Sequence, residues 1–130
     1  MTLAYVDTSC LVAIAFAEPG ARSTARRLER HERLFASNLL EAELRAALAR
    51  EGVSAHTAPL LMRISWIHPN RPLTREFERI LATGRALKGA DLWHLACALF
   101  LAPNPQDLAF MTLDTRQREV AARLGFSTGD

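Results

Sequence analysis

The sequence predicts an α/β fold, a three-layer α/β/α sandwich around a short parallel sheet. Short apolar runs alternate with helical patterns along the 130 residues. The connections between successive runs are long enough to hold a helix, as a parallel sheet requires. The composition, 49% hydrophobic and 23% charged, is typical of a globular chain. We therefore expect a single domain over residues 1–130, because domains of about 100 to 150 residues are the commonest.

The N-terminal part is expected to form one strand and two helices. The apolar run 3–6 predicts a strand, and Asp7 is suited to cap the helix that follows over residues 11–17. The dipeptide at 19–20, Pro-Gly, ends that helix. A polar helix is then expected over residues 21–33.

The next part begins with a second short apolar run at 34–36, which predicts a strand. Ser37 is expected to open a helix whose apolar positions recur at the helical period, and Gly52 is expected to end it. Ser54 can cap another helix that runs toward Ile64.

The C-terminal half continues the alternation. Residues 65–67 predict a third strand, and a helix is expected over residues 74–87. Gly89 is expected to break that helix, and residues 91–101 then predict a mostly apolar one.

The pattern that opens the chain recurs near its end. Residues 108–113 predict a buried strand, and residues 116–124 predict a helix that Gly125 closes. Asp7 and Asp114 each follow an apolar strand by one residue, and each precedes a threonine. Because the carboxyl ends of parallel strands meet at one edge, we expect both acids to face one crevice.

Two glutamates of the helix that starts at Ser37 differ in their helical neighbours. Glu41 has Arg45 four residues on, which predicts an ordinary surface ion pair. Glu43 lies beside leucines and alanines with no local cation, so it is the better candidate for a site. A glutamate at the margin of the apolar face, with its carboxylate in solvent, is the alternative.

Asp7, Glu43, Asp91 and Asp114 together suggest an acidic cluster. Each aspartate can also be a simple helix N-cap, although Asp91 begins an unusually apolar helix that we expect to be buried. Several ionised carboxylates in one crevice repel each other unless a cation lies between them, and hard oxygen ligands favour Mg²⁺ or Mn²⁺. Such a metal site is suited to phosphodiester hydrolysis.

Five segments of the chain resemble the PIN-domain ribonucleases, and specifically the VapC-type toxins of toxin–antitoxin pairs. They are Val6-Asp7-Thr8-Ser9, Ser37 through Glu43-Leu44, Gly89-Ala90-Asp91-Leu92-Trp93-His94-Leu95-Ala96, Met111-Thr112-Leu113-Asp114-Thr115 and Ala121-Ala122-Arg123-Leu124-Gly125. The resemblance extends over nearly the whole chain, and the segments occur in the order of the family.

The resemblance implies a role for each matched acid. Asp7, Glu43, Asp91 and Asp114 take the positions of the acidic tetrad of the family, with Asp7 and Asp91 foremost as ligands of Mg²⁺ or Mn²⁺. It further implies an endoribonuclease that acts as a toxin, a separately encoded antitoxin, and a homodimer.

Residues beside the acids and on the second helix complete the expected site. Ser9 and Thr112 match positions that support it. Arg22, Arg26 and Arg30 recur at helical spacing and are expected to contact RNA phosphates, with an ordinary solvated face as the alternative.

Other classes of protein and site fit the sequence less well. A phosphoacceptor receiver-like domain would need adjacent acids after the first strand and a lysine after a late strand, and neither occurs. A catalytically inactive PIN-like module that binds RNA or a partner stays an alternative.

His94 is expected to be a core residue or a hydrogen-bond partner near the site. Cys10 and Cys97 are expected to be buried thiols, because two cysteines are too few for a thiolate metal site. No apolar run is long enough to cross a membrane, so we expect a cytoplasmic protein.

Overall fold

A computed structural model describes residues 2–53 and 57–129 and confirms the α/β class. In the described residues the parallel strands form one sheet in the order β3-β2-β1-β4. The strands are β1 (Leu3–Val6), β2 (Arg33–Ser37), β3 (Ile64–Ile67) and β4 (Ala109–Met111). The helices are α1 (Thr8–Ala15), α2 (Ala21–Glu29), α3 (Leu39–Arg50), α4 (Thr57–Leu61), α5 (Thr74–Leu81), α6 (Gly89–Leu101) and α7 (Thr115–Leu124).

The strand order explains why helices flank the sheet. The chain moves from β1 to β2 to β3 in one direction across the sheet and then returns past β1 to β4. Because parallel crossovers are right-handed, connections that run in opposite directions place their helices on opposite faces. Helices α1 to α4 therefore lie on one face, and α5 and α6 lie on the other.

Strand β1 is central and lies between β2 and β4. Tyr5 and Val6 are fully buried, as expected for a strand covered on both faces. Val6 pairs with Met111, and the Asp7 N–H donates to the Met111 carbonyl at 2.8 Å. This pairing brings the ends of β1 and β4 to the same edge of the sheet.

Asp7 and Asp114 are both helix N-caps, although α1 runs from Thr8 to Ala15 and so begins and ends earlier than the predicted range 11–17. Asp7 caps α1 by accepting the Ser9 N–H at 3.2 Å. Asp114 caps α7 by accepting the Gln117 N–H at 2.8 Å, and Gly125 ends that helix with a φ of 108°.

Two predicted helix boundaries around β2 are wrong. The polar helix ends at Glu29 rather than at Arg33, because Arg33 pairs with Leu3 as the first residue of β2. Ser37 does not open a helix: it is the last residue of β2, it pairs with Ile67, and α3 starts two residues later. In both places strand pairing prevails over a helical sequence pattern.

Other boundaries also differ. Ile64 starts β3 and does not end a helix, since it pairs with Leu34. Helix α5 ends at Leu81, earlier than predicted, and Gly84 adopts a φ of 84° just beyond it. Gly89 is the first residue of α6 rather than a break before it. The predicted cap Ser54 lies outside the described residues.

The core is formed by the sheet and the apolar face of α6. Residues 95–99 of α6 are nearly fully buried. Cys10 and Cys97 are free and buried as predicted, and burial raises the pKa of each thiol to about 12.

Within the described parts of the chain, no helix has both the length and the apolar character that a membrane span needs.

Candidate active site

Asp7 lies at the carboxyl edge of the sheet and is buried, with 4% of its surface exposed. Its Oδ2 accepts the Ser9 N–H at 3.2 Å, and its Oδ1 lies 3.4 Å from Nε2 of Gln117. The Nε2 atom of His94 is 4.0 Å from Oδ1. Together with Thr112, described next, these groups face the buried carboxylate, and none of them lies closer to it than 3.2 Å.

The segment after β4 forms the second side of the site. Thr112 is buried, and its Oγ1 lies 3.2 Å from Asp7 Oδ2 and 3.3 Å from the Ser9 hydroxyl. Ser9 Oγ in turn accepts the Leu113 N–H at 3.0 Å, and Thr112 Oγ1 accepts the Asp114 N–H at 3.1 Å. Ser9 and Thr112 therefore connect the start of α1 to the end of β4.

Asp91 lies in the first turn of α6 and is partly buried. Burial raises the pKa of its carboxyl, and the negative charges of Asp7 and Asp114 raise it further, with a smaller effect from Glu43. The other three acids of the predicted site therefore all act electrostatically on Asp91.

Asp114 is more exposed and shares a cleft with Asp91. The cleft has a volume of about 290 Å³ and lies between the starts of α6 and α7. Lys88 and Arg116, both exposed, also line it. The cleft therefore places two carboxylates beside two cations.

Glu43 is directed toward the site and not toward solvent alone. Its Oε1 accepts the Thr8 hydroxyl at 2.8 Å and lies 2.7 Å from Nε2 of His94. Burial alone would raise the pKa of Glu43, but the hydrogen bonds from His94 and Thr8 bring it below its ordinary value. Glu43 is accordingly held in its ionised form.

His94 is both a core residue and a neighbour of the site, which combines the two expectations. It is buried, and its Nδ1 lies 2.7 Å from the Tyr5 hydroxyl. That hydroxyl also accepts the Ser37 N–H at 3.1 Å, so the Tyr5 proton is available to Nδ1. With Nδ1 as the acceptor, Nε2 carries the hydrogen that is donated to Glu43.

Glu41, in contrast, pairs with Arg45 as predicted. The Nε atom of Arg45 donates to Glu41 Oε2 at 2.7 Å, and both side chains lie at the surface of α3. The structure thus separates the two glutamates in the way that their helical neighbours indicate.

The acids form an open arrangement rather than a closed metal cage. In residues 2–53 and 57–129, no three histidine, cysteine or acidic side chains converge where they would hold an ion. In that same part of the chain, no lysine or arginine forms a salt bridge with Asp7, Asp91 or Asp114. Mg²⁺ is commonly held by one or two carboxylates, with water and substrate phosphate completing its shell. The oxygen donors of Asp7 and Asp91 fit an open site of that kind.

The predicted arginine stripe is only partly helical. Arg22 and Arg26 lie exposed on α2, whereas Arg30 follows the helix. The Arg30 carbonyl accepts the hydroxyl of Thr2, which precedes β1. Arg30 therefore lies near the amino end of β1, at the opposite edge of the sheet from Asp7.

Sequence reasoning missed three residues of the site. Gln117 is fully buried between Asp7 and Asp91, and Tyr5 and Ser37 extend the His94 contacts into the sheet. The spacing of Asp114 and Gln117 is that of a capping box, but the Asp114 N–H donates to Thr112 Oγ1 and not to Gln117. The signal that places position 117 on the buried face is its helical spacing to the apolar Val120 and Ala121. Tyr5 has no such signal, since an aromatic residue is ordinary in a buried strand.

Comparison with known proteins agrees with this geometry. The sequence model of the family described as PIN domain matches residues 4–123. A search of curated proteins found no match to the chain. The family match covers most of the chain and includes all four acids, so the chain belongs to the PIN domain family.

Proposed function

We propose that this chain is a Mg²⁺- or Mn²⁺-dependent endoribonuclease, the toxin of a toxin–antitoxin pair that acts in the cytoplasm. PIN domains are generally metal-dependent nucleases. The observation that carries the proposal is the position of Asp91 near the end of the sheet that holds Asp7 and Asp114, where burial and the charges of those two acids raise the pKa of Asp91. A divalent cation would relieve the repulsion that these charges exert on Asp91.

The acids have distinct roles in this proposal. Asp7 and Asp91 would hold the metal, which when bound would supply Lewis-acid polarisation of a phosphodiester and activation of water. Glu43 is ionised, and His94 and Thr8 both contact its Oε1. Its Oε2 is thus the oxygen suited to accept a proton from attacking water. Asp114 lines the neighbouring cleft beside Asp91, where it can order water around the metal.

Two groups of cations are candidates for contact with RNA phosphates. Arg22, Arg26 and Arg30 are the group proposed from the sequence. Lys88 and Arg116 lie at the cleft that contains Asp91 and Asp114, so a bound strand would pass close to the acids. We propose that both groups contact RNA, with the cleft residues closer to the cleaved bond.

Salt dependence of RNA binding separates the two groups. Each phosphate contact that is lost should lower the slope of log affinity against log salt by about 0.7 for single-stranded RNA. Lys88→Ala and Arg116→Ala should also impair cleavage, whereas Arg22→Ala and Arg26→Ala should weaken binding alone. Unchanged binding and slope in all four variants would contradict the phosphate contacts.

The toxin assignment adds protein partners to the proposal. A separately encoded antitoxin would cover apolar helix surface and place a cation among the carboxylates in place of the metal. Val12 and Phe16 of α1 line a 370 Å³ cleft with Ala47 of α3, and the charged residues Glu18, Arg50 and Glu51 complete its lining. Met62 is 79% exposed beyond α4. Apolar side chains with charged residues around them fit the interface of a homodimer or of an antitoxin.

The direct test uses purified protein and a structured RNA. With Mg²⁺ or Mn²⁺ we expect internal cleavage, which EDTA should abolish and which the Asp7→Asn variant should lack. DNA of the same sequence serves as the substrate control. RNA binding without cleavage in the presence of metal would instead support the inactive PIN-like module. The family match gives no support to the receiver-like alternative.

A further inference from the structure

Gln117 lies at the centre of the acidic site, and none of the roles above uses its side chain. It is fully buried in the first turn of α7. Its Nε2 atom lies 3.4 Å from Asp7 Oδ1 and 3.4 Å from the carbonyl oxygen of Asp91. Its main-chain N–H donates to Asp114 Oδ1 at 2.8 Å. One residue therefore contacts three of the four acids.

The orientation of the Gln117 amide follows from its partners. Asp7 Oδ1 and the Asp91 carbonyl are both acceptors, so only the NH₂ group can face them. The Oε1 atom then faces Thr112, whose hydroxyl donates to it at 2.7 Å. A reversed amide would place an oxygen against two other oxygens.

This orientation also decides how Asp7 is held. The Thr112 hydroxyl has one proton, and Gln117 Oε1 at 2.7 Å is closer than Asp7 Oδ2 at 3.2 Å. Asp7 then accepts a hydrogen bond from Gln117 Nε2 at Oδ1 and one from the Ser9 N–H at Oδ2. These neutral donors orient the carboxylate but leave its negative charge in place, unlike a lysine or arginine.

We propose that Gln117 is a positioning residue that holds the Asp7 carboxylate in a fixed relation to Asp91 and Asp114 for a divalent cation. The inference rests on the proposed function, because it assumes that Asp7 receives a metal. Groups that orient ligands in this way commonly change metal affinity when they are removed.

The test is Mn²⁺ affinity, measured by calorimetry without RNA. Gln117→Met keeps the length and roughly the volume of the side chain but removes all three amide contacts, to Asp7, the Asp91 carbonyl and Thr112. We expect Mn²⁺ binding about 10- to 100-fold weaker than in the wild type. Gln106→Met is the matched control, because Gln106 is exposed in the 3₁₀ turn Pro105–Asp107 and should bind as the wild type does. Wild-type affinity in Gln117→Met, or no Mn²⁺ binding in the wild type, would overturn the inference.

A second measurement needs no substitution at Gln117. In the wild type, the side-chain amide of Gln117 should shift during a Mg²⁺ titration followed by NMR, while that of Gln106 should not. With ¹⁵N placed in glutamine alone, the Gln106→Met spectrum assigns the two signals by elimination, since the chain has two glutamines. Saturating Mg²⁺ that leaves the Gln117 amide unmoved would also overturn the inference.

The two proposals fail in different ways. Metal binding that depends on Gln117, in a protein that cleaves no RNA, would refute the nuclease proposal and support this inference. RNA cleavage with full metal affinity in Gln117→Met would refute this inference and leave the nuclease proposal intact.

Discussion

Each carboxylate at the sheet edge has its own neighbours, and they determine the effect of a substitution. The negative charges of Asp7 and Asp114 act on Asp91, whereas Glu43 is held by two hydrogen-bond donors. Removing a charge should therefore relieve repulsion at Asp91 but break contacts at Glu43.

Asp91→Asn should abolish metal-dependent cleavage and raise the melting temperature in metal-free buffer. The raised pKa of Asp91 means that its ionised form is disfavoured in the folded state, so this cost is present above the ordinary pKa and fades as the pH falls. The gain in melting temperature should accordingly shrink at acidic pH. Thermal unfolding with EDTA at several pH values checks this, and a loss of stability at neutral pH would contradict it.

Glu43→Gln should reduce cleavage by about 100-fold or more if the carboxylate accepts a proton. Glu41→Gln, two residues away, should leave cleavage unchanged and remove only the surface pair with Arg45, which contributes little to stability because both side chains are solvated. Single-turnover rates of both variants under the same conditions give the comparison. The reverse order of effects would refute the assignment of Glu43.

Residue-level prediction succeeded where one helix supplied the information. The neighbours of Glu41 and Glu43 within α3 suffice to separate them, because helical spacing fixes which side chains are adjacent. Tyr5 and Gln117 reach the site only through contacts between residues about 90 and 110 positions apart. No local pattern contains that information.

At the level of elements, the type of each segment was predictable and several ends were not. The apolar runs identified all four strands, since a strand buried on both faces has a continuous apolar sequence. The ends of β2 depend on pairing with Leu3 and Ile67, which a helical period cannot reveal. Caps with a side-chain or glycine signature, at Asp7 and Gly125, were placed correctly.

Gly125→Ala should destabilise the protein by about 1 kcal/mol, because an alanine at a φ of 108° is strained. A Cβ atom there would meet the Pro105 side chain at an ordinary 3.6 Å, so the cost comes from the backbone alone. Gly89→Ala is the control, since the first turn of α6 accepts alanine and no atom lies within 4 Å of the new Cβ. Urea unfolding measures both, and equal effects would contradict the cap argument.

At the level of the whole molecule, the strand order brings distant segments to one edge. Strand β1 lies between β2 and β4, so Asp7 meets Thr112, and Ser37 donates to the hydroxyl of Tyr5. The crossover that returns to β4 also brings the start of α6 beside the start of α7. A parallel sheet predicted from alternating segments implied a shared edge, but not which strands are neighbours.

The partly exposed apolar side chains of α1 lead us to predict that the protein forms a dimer. Val12 and Phe16 are only partly buried and line the cleft toward α3, and homodimer interfaces are richer in apolar surface than the rest of a protein. We expect a dimer in light scattering at micromolar concentration, and Phe16→Glu should shift it toward monomer because a buried unpaired carboxylate is costly. Leu81→Glu is the matched control, since Leu81 of α5 is 49% exposed on the other face of the sheet. A wild type that stays monomeric would contradict the dimer. A Leu81→Glu variant that dissociates as readily as Phe16→Glu would contradict the placement of the interface at α1.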